Sequence, residues 1–598
     1  MANIEEIRVA KYKYLRLLNE AALRCYQNYG TEAIQGSEFL RVLEDAVKFL
    51  KTLPLNEESS DFAYEILRET QSLTITNPKG QVLLDMVSLD LPRVILTYMD
   101  ISEKCWETCG NVITHMCQFC SPSEIVSVLC EELSKTNENL SSSIYLLHGF
   151  SIVIGRVQRR PFENVKVALP IILAVGKIAA SIMSDDDSKD VAAEIFKKLI
   201  NIAVSLREVC KKQVVAEKKQ QLWSILSLYT LQLMALVSKE DNITDLSRAP
   251  TSIMQLSEIL SDCGLSYLSL ITGKEVETIC HLLDNDEHDK ILENTSLINI
   301  GANLAVLWGY VFVEIATVAH ENIKDLLKKI QSCQNERIRA LSNMKYLLCS
   351  LDYPWGVKKI SMDFLSAMLS KNSDSSKGCD EKIDWFSTTP SLFSLLQGMQ
   401  QIMVYAPHPM QRKEAFSALT KILGELPAHE KFDVLRALTV NSNYPSMTAL
   451  LLGTVKNEID NAIKLNSSKY EHSHLGSPFL TGDVLELVEF ILKPLKGGPP
   501  DLPGQSDAVL AALNLYRFLL IMESTGKTNY TGVLSKSCLK KAHSEWLLPL
   551  RALVSGIESE NANDCDDFAT STLCALNLIE LPLYRCLELV EEKLKHPA

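Results

Sequence analysis

Glycine and proline are scarce in this chain, 24 and 21 of 598 residues, which excludes collagen-like, linker-like and low-complexity architectures. Basic charge is in deficit too. With 60 Lys and Arg against 74 Asp and Glu the net charge is -14, and such a surface repels a phosphate backbone, whose capture needs many cations to displace condensed counterions. No nucleic-acid partner is expected. Small basic clusters at Arg156/Arg159/Arg160 and Lys211/Lys212/Lys218/Lys219 alternate with acidic and apolar residues and read as solvated helix faces. Long uncharged apolar runs are missing: the most apolar stretch, Val167 to Met183, is interrupted by Pro170 and Lys177, so no membrane span is expected. The first residues, MANIEEIRVAKYKYL, lack the basic lead and continuous apolar core of a secretory signal. Alternating strand patterns are almost absent.

What is present suits a large buried core: 46% of the residues are hydrophobic and 22% charged, unlike a disordered chain. Sixteen cysteines are scattered from Cys25 to Cys586, mostly beside Leu, Val and Ile, as small core residues are. That usage, with no short secreted framework, points to a soluble intracellular protein. One cluster, Cys105, Cys109, Cys117 and Cys120 with His115 between them, has ligand types that zinc accepts. However, Val112, Ile113, Met116 and Phe119 keep helical apolar spacing between them, which strings the sulfurs along a rod. The reading is a cysteine-rich core helix with no metal.

Apolar residues at helical spacing dominate, broken by short polar joints. One helix is expected from Ser37 through Phe39, Leu43, Val47 and Leu50 to Pro54; another opens at Ser121-Pro122-Ser123-Glu124, a capping pattern, with Ile125, Leu129 and Leu133 as its stripe. The C-terminal third carries eight stripes. They begin at Thr389-Pro390, near Met410, around Phe432, near Ser446, after Thr481, at Ser506 as a cap, around Trp546 and at Phe568, the last with a kink expected at Pro582. A helix pair every 40 to 50 residues is the spacing of HEAT or armadillo-like repeats. The fold class expected is therefore all-α, an extended α-α superhelix of degenerate HEAT/armadillo-like repeats. Polar joints lie at 184–190, 370–384, 496–505 and 558–567. The long Ser- and Asp-rich joint divides the chain into an N-terminal helical-repeat region, 1–369, a linker, 370–384, and a C-terminal HEAT-like region, 385–598.

No catalytic constellation stands out, and the chain is not expected to be an enzyme or to need a cofactor. Gly526-Lys527-Thr528 ends like a phosphate-binding loop, but Ile521 occupies the position of the first glycine and no strand precedes it. His472 and His474 lie in a polar loop without further ligands. A helical solenoid instead offers surface, because polar residues beside each buried stripe converge on one partner. Lys456, Asn457, Asp460 and Lys464 stand off the apolar face of one helix; Asn441 and Asn443 suit the turn before it; Asn514 and Arg517, three apart, share a side of another. On composition alone, capping and solvation are the favoured account of such residues.

Several strings in this region occur together: Arg436, Asn441-Ser442-Asn443, Val455-Lys456-Asn457-Glu458-Ile459-Asp460, Leu480-Thr481-Gly482, Ala512-Leu513-Asn514-Leu515-Tyr516-Arg517, Asn529-Tyr530-Thr531-Gly532 and Trp546-Leu547-Leu548-Pro549-Leu550. In order and spacing they resemble the C-terminal region of the glomulin family, on its plant side. The resemblance runs from near Leu426 to Leu550. It implies a non-enzymatic protein of the nucleus and cytoplasm whose C-terminal region grips the RING domain of the RING-box subunit of cullin-RING (SCF-type) ubiquitin ligases. Through that subunit it would reach the cullin and cover the surface that ubiquitin-conjugating enzymes use. The residues implied in partner binding are Arg436, Asn441, Asn443, Lys456, Asn457, Asp460, Asn514, Arg517, Asn529, Thr531 and Trp546, with Arg517 and Trp546 as the natural anchors, although a place in the core is the favoured reading of Trp546. The other reading is a general α-solenoid scaffold or transport adaptor that takes a peptide or helix in its groove.

Overall fold

A computed structural model of the chain describes residues 4–27, 34–54, 56–135, 140–183, 188–239, 249–283, 294–370, 383–468, 476–494, 498–561 and 567–595. The chain is all-α, built of helices packed on one another, with no strand among the described residues. Two compact units divide inside the helix Trp355–Met368, one spanning Met1–Phe364 and the other Leu365–Ala598.

In the N-terminal unit the helix Ala216–Val237 is buried on all sides along its second half. It packs against the helices Pro161–Ile182, Lys189–Lys212, Thr251–Asp262 and Thr295–Val311. Gly301 makes the closest of these approaches: a Cβ there would stand 1.9 Å from the carbonyl oxygen of Leu231. Polar tips of large buried side chains tie the layers together. Tyr98 donates to the Leu43 carbonyl at 2.8 Å and Tyr229 to that of Leu199 at 3.0 Å. Tyr353 donates to the Ala235 carbonyl at 3.0 Å, and Trp308 Nε1 donates to Ser238 Oγ at 2.9 Å. Asn343 Nδ2 donates to the carbonyls of Leu270 and Ile271 at 3.1 and 3.2 Å.

The cysteine cluster lies along the helix Glu103–Phe119 and its C-terminal cap, and all four thiols are buried. Burial pushes Cys117 to about 12 and Cys120 to about 11. Cys109 donates to the Ile95 carbonyl at 3.3 Å, and among the described residues no group of three or more His, Cys, Asp or Glu side chains is placed to hold a metal ion. One expectation is corrected. Two helices, Pro161–Ile182 and Ser506–Gly526, do reach the length and mean hydropathy of a membrane span, because a lone proline or a few charges at intervals barely lower the average. Only 44% and 50% of their apolar windows are buried, and each packs against neighbouring helices.

The helices of the C-terminal unit, numbered within it, are α1 (Trp385–Tyr405), α2 (Pro409–Glu425), α3 (Ala428–Val440), α4 (Pro445–Ser468), α5 (Asp483–Leu492) and α6 (Ser506–Gly526). Next comes α7, built from Lys536–Lys541, a π-helical turn Ala542–Leu547 and Leu548–Asn561, and last α8 (Asp567–Lys595). Helix α1 starts four residues before the expected Thr389, because the Asp384 side chain accepts from the Phe386 amide at 3.2 Å and caps it there; Pro390 falls inside. Ser506 is the first helical residue and not a cap, since Gln505 occupies the cap position without a side-chain bond. Helix α8 continues through Pro582. Residues 371–382 of the expected linker lie outside the described residues, as do His472 and His474.

Candidate interaction face of the C-terminal unit

Helices α4 and α6 pack along their length and run parallel. Their register is fixed at two levels. Ser446 Oγ donates to the Asp507 carboxylate at the N-terminal ends, and further along the Lys456 ammonium lies 5.1 Å from the centroid of the Phe518 ring. Helices α3 and α5 form the neighbouring layer, tied to α4 by Lys431 and Glu458 at 3.1 Å. The edge-on pair Phe432 and Phe479, with centroids 5.3 Å apart, holds α3 on the 3-10 turn Pro478–Leu480.

This arrangement brings Lys456, Asn457, Asp460, Asn514 and Arg517 onto the α4/α6 layer. Asp460 pairs with Lys464 one turn on. Asn457 is exposed, Asn514 and Arg517 are half-buried, and none of the three has a side-chain hydrogen bond or ion pair among the described residues. Arg517 lies near the buried Cys586 thiol of α8, which burial raises to about 12 while the guanidinium pulls it the other way. Along α6, Leu510, Asn514, Arg517 and Ile521 follow helical spacing on one face, and Ile521 is 44% exposed. Gly453 of α4 is exposed, and a Cβ there would meet nothing within 4 Å.

The other expected residues lie elsewhere. Arg436 sits on the α3/α5 layer, exposed and paired with Glu486 at 2.9 Å. Asn441 and Asn443 are exposed in the α3–α4 turn, where Asn441 Nδ2 donates to the Ala437 carbonyl at 2.8 Å, a local closing bond. Asn529, in the loop after α6, accepts from the Leu534 amide at 2.9 Å and so shapes that loop. Thr531 and Trp546 are corrected outright. Thr531 is 3% exposed, its amide and hydroxyl both donating to Glu523 Oε1, and Trp546 is 2% exposed, edge-on to Tyr516 with centroids 5.8 Å apart. Both are core residues, so Trp546 is no surface anchor.

Gly526-Lys527-Thr528 closes α6. Lys527 takes a left-handed conformation, φ 51°, and the Thr528 amide bonds back to the Glu523 carbonyl at 3.0 Å. A helix C-terminus presents carbonyls and the negative end of the helix dipole, the opposite of a phosphate cradle. Sequence reasoning missed three features. Phe518 seats Lys456, and its place beside Arg517, four residues after Asn514, marks it as flanking the α6 polar stripe. The exposed Tyr405 and Tyr444 meet edge-on, 6.4 Å between centroids, with their hydroxyls hydrogen-bonded. Glu523, near the end of α6, is buried and holds Thr531.

The model of the uncharacterised protein family YAP/Alf4/glomulin matches residues 359–593. Aberrant root formation protein 4 of Arabidopsis thaliana is 37% identical over 552 residues, 90% of this chain and 86% of that protein. Glomulin of Mus musculus is 28% identical over 160 residues, 27% of this chain and 25% of its own length. Glomulin of Homo sapiens is 25% identical over 194 residues, 31% of each.

Proposed function

We propose, from the premise that the chain belongs to the YAP/Alf4/glomulin family, that it is a non-enzymatic regulator of ubiquitin ligation acting in the nucleus and cytoplasm. The α4/α6 face of its C-terminal unit docks on the RING domain of the RING-box subunit of a cullin-RING ligase and blocks access of the ubiquitin-conjugating enzyme. The observation that carries this reading is the set of unused polar groups on that face. Arg517 is a half-buried cation with no carboxylate partner among the described residues; Asn514 one turn before it on α6 and the exposed Asn457 of α4 also lack partners there. A buried or half-buried arginine that folding leaves uncompensated gains most when a partner supplies its acceptors, and arginines of this kind dominate interface energies. Lys456, already held over Phe518, loses less side-chain freedom on docking than a free lysine. A standard interface hides ~800 Å² on each partner, enough to occlude one face of a small RING domain. Inhibition of this kind is steric and needs neither nucleotide nor cofactor.

Ubiquitin-chain formation by a purified cullin-RING ligase, titrated with the full chain, tests the reading. Chain formation is expected to fall as the protein approaches stoichiometry. Arg517→Glu is expected to raise the concentration required by about tenfold, or ~1.4 kcal/mol. Undiminished ligation at stoichiometric excess overturns the proposal and leaves the α-solenoid as a scaffold for other cargo.

A further inference from the structure

In the N-terminal unit an open groove of about 520 Å³ lies at the starts of three helices, Glu103–Phe119, Leu140–Ile154 and Lys189–Lys212, beside the 3-10 turn Met99–Ile101. Helix Leu140–Ile154 packs against both of the others, which holds the three starts together. Met99, Trp106, Ile144 and Val191 give the groove an apolar lining. Trp106 is half-buried, and its ring meets that of Tyr145 at 4.5 Å between centroids, tilted by 59°. Packing thus holds the indole in place without a ligand.

The charged part of the lining has one sign. Asp100, Glu103, Asp190 and Glu194 bring carboxylates, and no lysine or arginine among the described residues lines the groove. Nearby cations are engaged elsewhere: Lys197 and Lys198 meet Glu194 along their own helix at 3.3 and 3.2 Å, and Lys104 lies over the Tyr64 ring at 5.7 Å. Glu103 and Asp190 are both exposed, and neither has a side-chain hydrogen bond or ion pair among the described residues. Acids in first helical turns ordinarily answer the helix dipole, about half a positive charge at each start. Three starts offset about one and a half charges, fewer than the four carboxylates bring.

A phosphate or carboxylate ligand is therefore disfavoured, and a neutral apolar one would strip water from Glu103 and Asp190 without returning a donor. An arginine side chain meets both demands. Its planar guanidinium stacks on an indole face, its N–H groups donate to carboxylates, and its alkyl stem covers apolar surface.

We propose that this groove is a docking site for an arginine in a basic segment of a protein partner. The guanidinium stacks on Trp106 and donates to Glu103 and Asp190, while the stem lies against Ile144 and Val191. The surface belongs to the N-terminal unit and is independent of the RING reading of the C-terminal unit.

Ligand-observed NMR on the full chain tests the groove with Nα-acetyl-arginine methylamide, which carries the backbone amides of a residue within a chain, and its neutral isostere Nα-acetyl-citrulline methylamide. Salt of about 0.15 M screens general attraction to the acidic surface. The arginine probe is expected to bind at least tenfold more tightly. Glu103→Gln with Asp190→Asn is expected to remove the difference, and Trp106→Leu to weaken arginine binding about fivefold. The pair Glu277→Gln and Glu314→Gln makes the same charge change in the first turns of two other helices and is expected to leave the preference intact. Should native protein bind both probes alike, or neither, the site is overturned, with no dependence on how well any variant folds. Loss of the preference in the Glu277/Glu314 pair as complete as in the groove pair overturns it too, by reducing the effect to overall acidity. None of these readouts uses the ligase, so failure of the groove and failure of the RING reading are told apart.

Discussion

The two units treat the polar ends of their largest buried side chains differently. In Met1–Phe364, Tyr98, Tyr229, Tyr353 and Trp308 each donate to a backbone carbonyl or serine of another helix, while the buried Tyr267 hydroxyl has no partner among the described residues. In Leu365–Ala598, Tyr516 and Trp546 meet ring to ring, and neither the Tyr516 hydroxyl nor Trp546 Nε1 has a partner among the described residues. Among the described residues of the same unit, Glu523 Oε2 and the Arg517 guanidinium also lack hydrogen-bond and ion-pair partners. A buried donor that finds an acceptor locks one arrangement of helices, whereas one that does not contributes shape alone. The N-terminal unit thus uses polar groups to fix its layers. In the C-terminal unit the Tyr516–Trp546 pair contributes by apolar packing alone.

The largest effect expected from probing that contrast is at Gly301. Gly301→Ala forces a Cβ onto the Leu231 carbonyl and should destabilise the chain by about 3 kcal/mol, read as a lowered urea midpoint. The tyrosines give a paired test of intermediate size. Tyr229→Phe discards a made hydrogen bond and should cost ~1 kcal/mol, while Tyr516→Phe discards a hydroxyl without a partner and should leave the midpoint unchanged or slightly raised. Equal losses at both positions would abolish the distinction drawn between the units. The smallest effect is a gain: Gly453→Ala adds a methyl group into open space on α4 and should stabilise by ~0.5–1 kcal/mol. A weaker effect of this more stable variant in the ligase titration that tests the proposed function would mark Gly453 as a point of close approach by the proposed partner.

Much of the C-terminal unit is legible in the sequence because its stripes are one-sided and separated by proline or by capping residues. Pro409, Pro427, Pro445 and Ser506 stand at or beside the real boundaries of α2, α3, α4 and α6. The pairing of Asn514 with Arg517 on one half-buried face follows from their three-residue spacing alone. Depth is harder to read. Trp546, which the sequence already favours as core, is shown to be interior by its ring contact with Tyr516, and Thr531, implied in partner binding, by its bonds to Glu523. The separation of Arg436 from Arg517 is a matter of layer, set by Glu486 on α5, which lies fifty residues along the chain. Glu523 is concealed for a related reason, since its two donors come from a loop that folds back over the helix end.

The π-helical turn Ala542–Leu547 has a consequence for the whole end of the molecule. A π turn takes in an extra residue, so side chains beyond it are rotated relative to an uninterrupted α-helix. Before and within the turn, Lys541 and Glu545 point to α5, meeting Glu489 and Lys493 at 2.7 Å each. Beyond it, Arg551 lies over Tyr584 of α8 at 5.9 Å. One rod is thereby phased to two neighbours at once. Excising a single residue from the turn would regularise the spiral yet leave one of those two seams misaligned, so local order gained there would be lost between helices.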